Sequence, residues 1–244
     1  MRVVRLIIGF IGTRYEGWQS QRKGNTLQEV FEKILERILK ERTHLIGSSR
    51  TDSGVHAKGF VAHFRTKSVL PDNKIKQAIN FYLPRDILVY SAKTMPDRFH
   101  ARFHAKSKIY RYDIWNSSTR PLFEAPYALW YPHPLNAGLM KKGSAYLKGR
   151  HDFNAFQDRG DEKRNFVRTI KRLTVKKSKQ LIRIEIEGDG FLRHMIRVIV
   201  GTLIEVGRKK ITPSRILDIL KSKDRKKAGS TAKAHGLTLV KVNY

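Results

Sequence analysis

In TLQEVFEKILERIL, residues 26–39, apolar side chains recur at Leu27, Val30, Phe31, Ile34, Leu35, Ile38 and Leu39. This three-and-four spacing draws one broad helix face. Such a stripe must be buried against a sheet or another helix, and the flanking sequence says which. Upstream, Val3–Phe10 (VVRLIIGF) is apolar and β-branched and reads as a strand. A loop, IGTRYEGWQSQRKGN, leads into the helix, where Thr26 and Glu29 have the T-x-x-E spacing of a capping box. Downstream come a short strand around HLIG, a longer one at GFVAHF, a helix through NKIKQAINFYL and a strand at DILVYSAKTM. The order β-α-β-β-α-β is that of a ferredoxin-like split unit.

The remainder is again α+β. KIYRYDIWN alternates as a strand, and a helix follows near AGLMKKGSAYLKG. Strands at FVRTIKRLTVKK and LIRIEIEGDG precede helices over FLRHMIRVIVGTLIEVG and PSRILDILKS, and LTLVKVNY closes the chain as a strand. At 244 residues there is room for two domains. The join is expected between residues 97 and 107, in DRFHARFHAKS, giving an N-terminal α/β domain over 1–100 and a C-terminal one over 101–244.

Charge narrows the function. Lys and Arg number 50 against 21 Asp and Glu, a net +29 spread over both halves. Nucleic acid is the favoured partner, since cations that neutralise phosphates release counterions; a membrane-surface or ribosomal protein has the same balance. No run of 18 apolar residues exists, and the start, MRVVRLIIGF, lacks a signal-peptide pattern. The chain is therefore expected to be soluble and cytoplasmic, with no membrane partner.

Several chemistries lose support. With no cysteine there is no thiol nucleophile, disulfide or thiolate metal site. Neither a G-x-x-x-x-G-K-[ST] phosphate loop nor a G-x-G-x-x-G turn is present. His100 and His104 stand four apart, as two ligands on one helix face would, but no acid cluster lies beside them, and no metal is assigned. The densest group of acids, Asp158–Glu162 in DRGDE, reads as a solvated loop rather than a two-metal site.

One acid stands apart: Asp52 in GSSRTDSGVHA. Turn chemistry alone favours a plain bend, with Gly54 at positive φ and Arg50 beside Asp52. A catalytic reading needs a shielded carboxylate with a cationic partner, and Arg50 and Arg197 are the candidates. Arg197 lies with Arg193 and His194 in an otherwise apolar helix. An arginine so placed either snorkels or turns inward to a carboxylate. Tyr110, in KIYRYDI, either fills the sheet or stacks on an extruded base.

GSSRTDSGVHAKGFVAHF resembles the G-R-T-D-A-G-V-H-A…V-x-H-F signature of TruA-type tRNA pseudouridine synthases. Further segments are similar in the same order: YEGWQSQ…TLQEVFEKIL, AINFYLPRDI, RFHARFHAKSKIYRYDI, HDFNAF, and FLRHMIRVIVGTLIEVG…AKAHGLTLVKVNY. The departures are Ser53 where alanine is usual and Ile11 where aspartate is frequent. The resemblance implies an isomerase that converts uridine to pseudouridine at positions 38, 39 and 40 of the tRNA anticodon arm. The implied fold is two ferredoxin-like (RRM-like) α/β domains whose antiparallel sheets join into one, working as a homodimer without metal or cofactor.

By the same resemblance Asp52 is the nucleophile, Arg197 its cationic partner, and Tyr110 the ring on the flipped uracil. Arg50 takes the vacated place of the target nucleotide, and His56 and Arg102 are candidate RNA contacts. Whether Asp52 attacks C1′ or C6, or promotes glycal formation, stays open. A non-catalytic RNA-binding protein of this fold explains the charge equally well, but gives no reason for Arg50, Asp52, Tyr110 and Arg197 to occur together.

Overall fold

A computed structural model describes residues 1–21, 24–158 and 165–244. Of the Asp158–Glu162 cluster only Asp158 lies among the described residues. The elements are β1 (Arg2–Phe10), α1 (Leu27–Leu39), β2 (Ile46–Gly47), β3 (His56–Thr66), α2 (Asp72–Tyr82), β4 (Ile87–Met95) and β5 (Ser107–Asn116). They continue as β6 (Leu129–Tyr131), α3 (Ala137–Ala145), β7 (Gly149–Asp152), β8 (Val167–Ser178), β9 (Leu181–Gly188), α4 (Met195–Gly207), α5 (Arg215–Ser222) and β10 (Leu237–Asn243). The chain is mixed α/β and forms two compact units, residues 1–106 with 238–244, and residues 107–237.

In the first unit β1 pairs antiparallel with both β3 and β4, giving the order β4-β1-β3. The far edge of β3 is shared: β2 pairs there at Ile46↔His63 and Gly47↔Ala62, and β10 pairs in parallel at Thr238↔His56 and Leu239↔Ala57. Because β2 is only two residues long, the start of β3 is left for the closing strand. That strand was expected in the C-terminal domain; its pairing with β3 returns it to the first unit. Leu27, Phe31, Ile34 and Leu35 of α1 are buried, as their spacing predicts.

The capping box does not form. Thr26 is the N-cap but makes no side-chain cap bond, and the Glu29 carboxylate accepts from Ser20 Oγ (2.7 Å) and the Gln21 N–H (3.2 Å). The Glu29 carboxylate is thus turned toward the preceding loop, which also supplies acceptors to two N–H groups of the first turn. Leu27 N–H donates to Gly17 O (3.1 Å) and Gln28 N–H to Trp18 O (3.0 Å). The β1–α1 loop is thereby tied across the helix start. Trp18 is buried, stacks on Phe60 of β3 at 4.0 Å and lies 6.2 Å from Phe31. Through Trp18 the loop becomes part of the core.

In the second unit the strands run β6-β5-β9-β8-β7, all antiparallel neighbours except the β5–β6 pair. β6 and β7, of three and four residues, are too short to show a period in the sequence. The helix expected from Phe191 begins only at Met195. His194 takes a left-handed conformation (φ 57°), and Met195 N–H closes a turn on Leu192 O (3.2 Å). Among the described residues no helix is long and apolar enough to cross a membrane.

Candidate active site

The loop between β2 and β3 carries Arg50, Asp52 and the start of the quoted motif. Its bend is a real turn: Val55 N–H donates to Asp52 O (3.2 Å), and Gly54 has φ 78°. Positive φ is strained for any side chain, so glycine is required there. The turn is held from outside by the β1–α1 loop. Gly54 N–H and Ser53 Oγ both donate to Tyr15 O (3.3 and 3.2 Å), and Trp18 N–H donates to Thr51 O (3.1 Å). Gly17 has φ 96°, and a Cβ there would lie 2.5 Å from Thr51 O. Asp52 is therefore flanked by backbone anchored on the core tryptophan. It is half-buried, while Arg50 is exposed.

His56, expected as an RNA contact, is buried at 4% exposure, and its Nδ1 accepts the Gly12 N–H at 3.0 Å. In this position it ties the β1–α1 loop to the start of β3. Arg102 is exposed, on the turn after β4. Tyr15, whose hydroxyl donates to Asp86 at 2.8 Å, has its pKa raised, by burial first and then by that bond. It reinforces the loop and is not a ready proton donor.

Tyr110 and Arg197 belong to the second unit. Tyr110, on β5 opposite Ile186, is 6% exposed and meets Phe191 edge-on at 5.4 Å. Arg197 lies in the first turn of α4 and is half-buried. Its Nε donates to Ala232 O (2.7 Å), while its own carbonyl accepts the Ala232 N–H (3.1 Å). The Tyr112 hydroxyl donates to the next carbonyl, Lys233 O, at 2.7 Å. Tyr112 is fully buried, which raises its pKa against the opposing charge of Arg197. The 232–233 segment is thus gripped by both side chains, and this fixes where the guanidinium begins.

His194, at the cap of α4, bonds through Nδ1 to Asp158 Oδ2 at 2.7 Å. Sequence reasoning missed the supports: Trp18, Tyr15, Tyr112 and Ala232. Trp18 and Tyr15 had a signal, a tryptophan and tyrosine flanking Gly17 in a loop; Ala232 had none. Among the described residues no group of three or more His, Asp or Glu is placed to hold a metal ion.

The model of a family described as tRNA pseudouridine synthase matches residues 6–104 and 144–244. The chain is 46% identical over 244 residues to a tRNA pseudouridine synthase A of Thermoanaerobacter sp. (strain X514). It is 46% identical over 245 residues to that of Ruminiclostridium cellulolyticum and 42% identical over 244 to that of Clostridium acetobutylicum. In all three comparisons both chains are covered in full.

Proposed function

Because this chain belongs to the tRNA pseudouridine synthase family, we propose that it isomerises uridine at positions 38, 39 and 40 of the tRNA anticodon arm, with Asp52 as nucleophile. The reaction breaks the N1–C1′ bond, turns the uracil and joins C5 to C1′. C5 gives up its proton and N1 gains one, so no atoms are added or lost overall. Every route open to it, through an adduct at C1′ or C6 or through a glycal, starts from an ionised carboxylate.

Arg197 supplies the cation for that carboxylate, and its anchoring on Ala232 limits the positions its remaining N–H donors can take. Tyr110 stacks on the flipped uracil and assists loss of the C5 proton. Arg50, exposed beside Asp52, enters the place the nucleotide leaves. Arg102 joins the wider basic surface on phosphates, which holds a folded RNA by charge and shape. The enzyme works in the cytoplasm as a homodimer.

The observation that carries this reading is the end-to-end match to synthases in a chain whose Asp52 loop is pinned at Thr51, Ser53, Gly54 and Val55. The test is to treat unmodified tRNA transcripts with the protein and map pseudouridine, with tritium release from C5-labelled uridine as the rate. Asp52→Asn should keep tRNA binding and lose tritium release. Turnover by Asp52→Asn at the wild-type rate rejects the nucleophile, and modification only outside positions 38–40 rejects the site.

A further inference from the structure

The turn after β4, residues 97–106, is built around three imidazoles that accept backbone N–H groups. Ala101 N–H donates to His63 Nδ1 (3.2 Å), and those of Arg102 and Phe103 to His100 Nδ1 (3.1 and 3.2 Å). His100 N–H donates to His104 Nδ1 (3.3 Å). From the closing strand, the Tyr244 hydroxyl donates to Ala101 O (2.6 Å), and its ring packs against Phe99 at 5.2 Å. This network holds an apolar ring out in water: Phe103 is 73% exposed.

Phe103 is not a stray surface residue. One face lies on the His100 ring, centroids 4.2 Å apart and planes 27° from parallel, and the Arg102 guanidinium is 5.8 Å from its centroid. The turn also carries Arg98 and Lys106, and Arg65 donates to Asp97 O at 2.6 Å. A single open ring is too small an apolar patch to dock a protein. A rigid aromatic among cations does suit a nucleobase, whose flat face stacks while its phosphates meet the charges.

We propose that Phe103 is a stacking platform for an unpaired base of the RNA substrate other than the target uridine, with Arg98 and Arg102 on the neighbouring phosphates. The inference rests on the tRNA reading above. The imidazoles serve as the scaffold that keeps the ring in place, which gives His100 and His104 a role without a metal. The base continues the stack begun by His100 and Phe103.

The test is the affinity of wild-type and variant proteins for an unmodified tRNA transcript, by fluorescence anisotropy across a range of salt. Phe103→Ala should weaken binding about tenfold with an unchanged slope of log Kd against log salt, because stacking releases no counterions. Phe103→Tyr should restore affinity, and Arg102→Ala should lower the slope by about one. Melting temperatures of the Phe103 variants should match wild type, since the ring is exposed. A Phe103→Ala affinity within about twofold of wild type overturns the platform, as does an equal loss in Phe103→Tyr. Wild-type protein that binds no tRNA overturns the reading beneath it instead.

Discussion

His63 sets a pH limit on the first unit. Its side chain is 3% exposed, its Nδ1 accepts the Ala101 N–H, and the His100 ring lies 4.9 Å away. Burial foremost, then the positive charges of His100, Arg65 and His104, push its pKa from 6.5 down to about 4, against the opposing effect of a bond to the Ile46 backbone. Between these values the unfolded chain takes up a proton that the fold excludes. The stabilisation is therefore complete above about pH 6.5, falls as pH drops through the window, and is spent near pH 4. At ~1.4 kcal/mol per pH decade the whole span corresponds to about 3 kcal/mol. His63→Gln keeps a polar acceptor that does not titrate. In urea unfolding at constant ionic strength, the stability difference between wild type and His63→Gln should shrink by about 3 kcal/mol from pH 7 to pH 4. In an NMR titration the His63 ring should report its midpoint directly. A midpoint between about 6 and 7, the ordinary range for histidine, or a difference that does not change with pH, refutes the argument.

Two further substitutions probe the supports of the site. Tyr112→Phe removes the donor to Lys233 O from a fully buried position, at a cost of about 1–3 kcal/mol. Since Ala232 is bonded both ways to Arg197, kcat for tritium release should also fall while KM for tRNA holds; an unchanged melting temperature and kcat would dismiss the grip. Gly17→Ala places a methyl group 2.5 Å from Thr51 O on backbone with φ 96°, so the Asp52 turn must shift. Misplacing a reacting group by about 1 Å costs up to roughly 10²-fold, so kcat should drop at least tenfold, about, with tRNA affinity near wild type. Wild-type kcat would show that the loop absorbs the change.

The parts of the fold written in local periodicity were legible. α1 follows from its stripe, and β1, β3, α2, β4, β5, β8, β9 and α5 fall where apolar pattern and turn residues put them. What failed depended on partners distant in sequence. Thr26 and Glu29 have the spacing of a capping box, but Ser20 and Gln21 of the preceding loop take the Glu29 carboxylate instead. FLRHMIRVIVG has helical spacing from Phe191, yet a left-handed residue at His194 delays the helix by a turn. β10 has the pattern of any closing strand, and nothing local says that a two-residue β2 leaves the edge of β3 open to it. The candidate site shows the same division. Arg50, Asp52, Tyr110 and Arg197 are visible as unusual residues in their segments, whereas Tyr112 and Ala232 are ordinary residues whose part depends on where the chain returns.

The bend and the proposed nucleophile are compatible readings of GSSRTDSGVHA, since the turn occupies the backbone and leaves the Asp52 carboxylate to the proposed chemistry. A carboxylate that must meet a particular carbon of a flipped nucleotide needs a backbone that does not drift, and a short loop between strands has little core of its own. Here the turn supplies the rigidity. Gly54 allows it, Asp52 O and Val55 N–H close it, and Tyr15 O takes two donors from its tip. Trp18, stacked on Phe60, then transmits the stiffness of the core to Thr51. Ser53, which departs from the usual alanine, fits this scheme, because its hydroxyl adds one more bond to Tyr15 O. The chain's surplus of cations can therefore be spent on RNA phosphates, with the position of Asp52 set by backbone hydrogen bonds that salt barely screens.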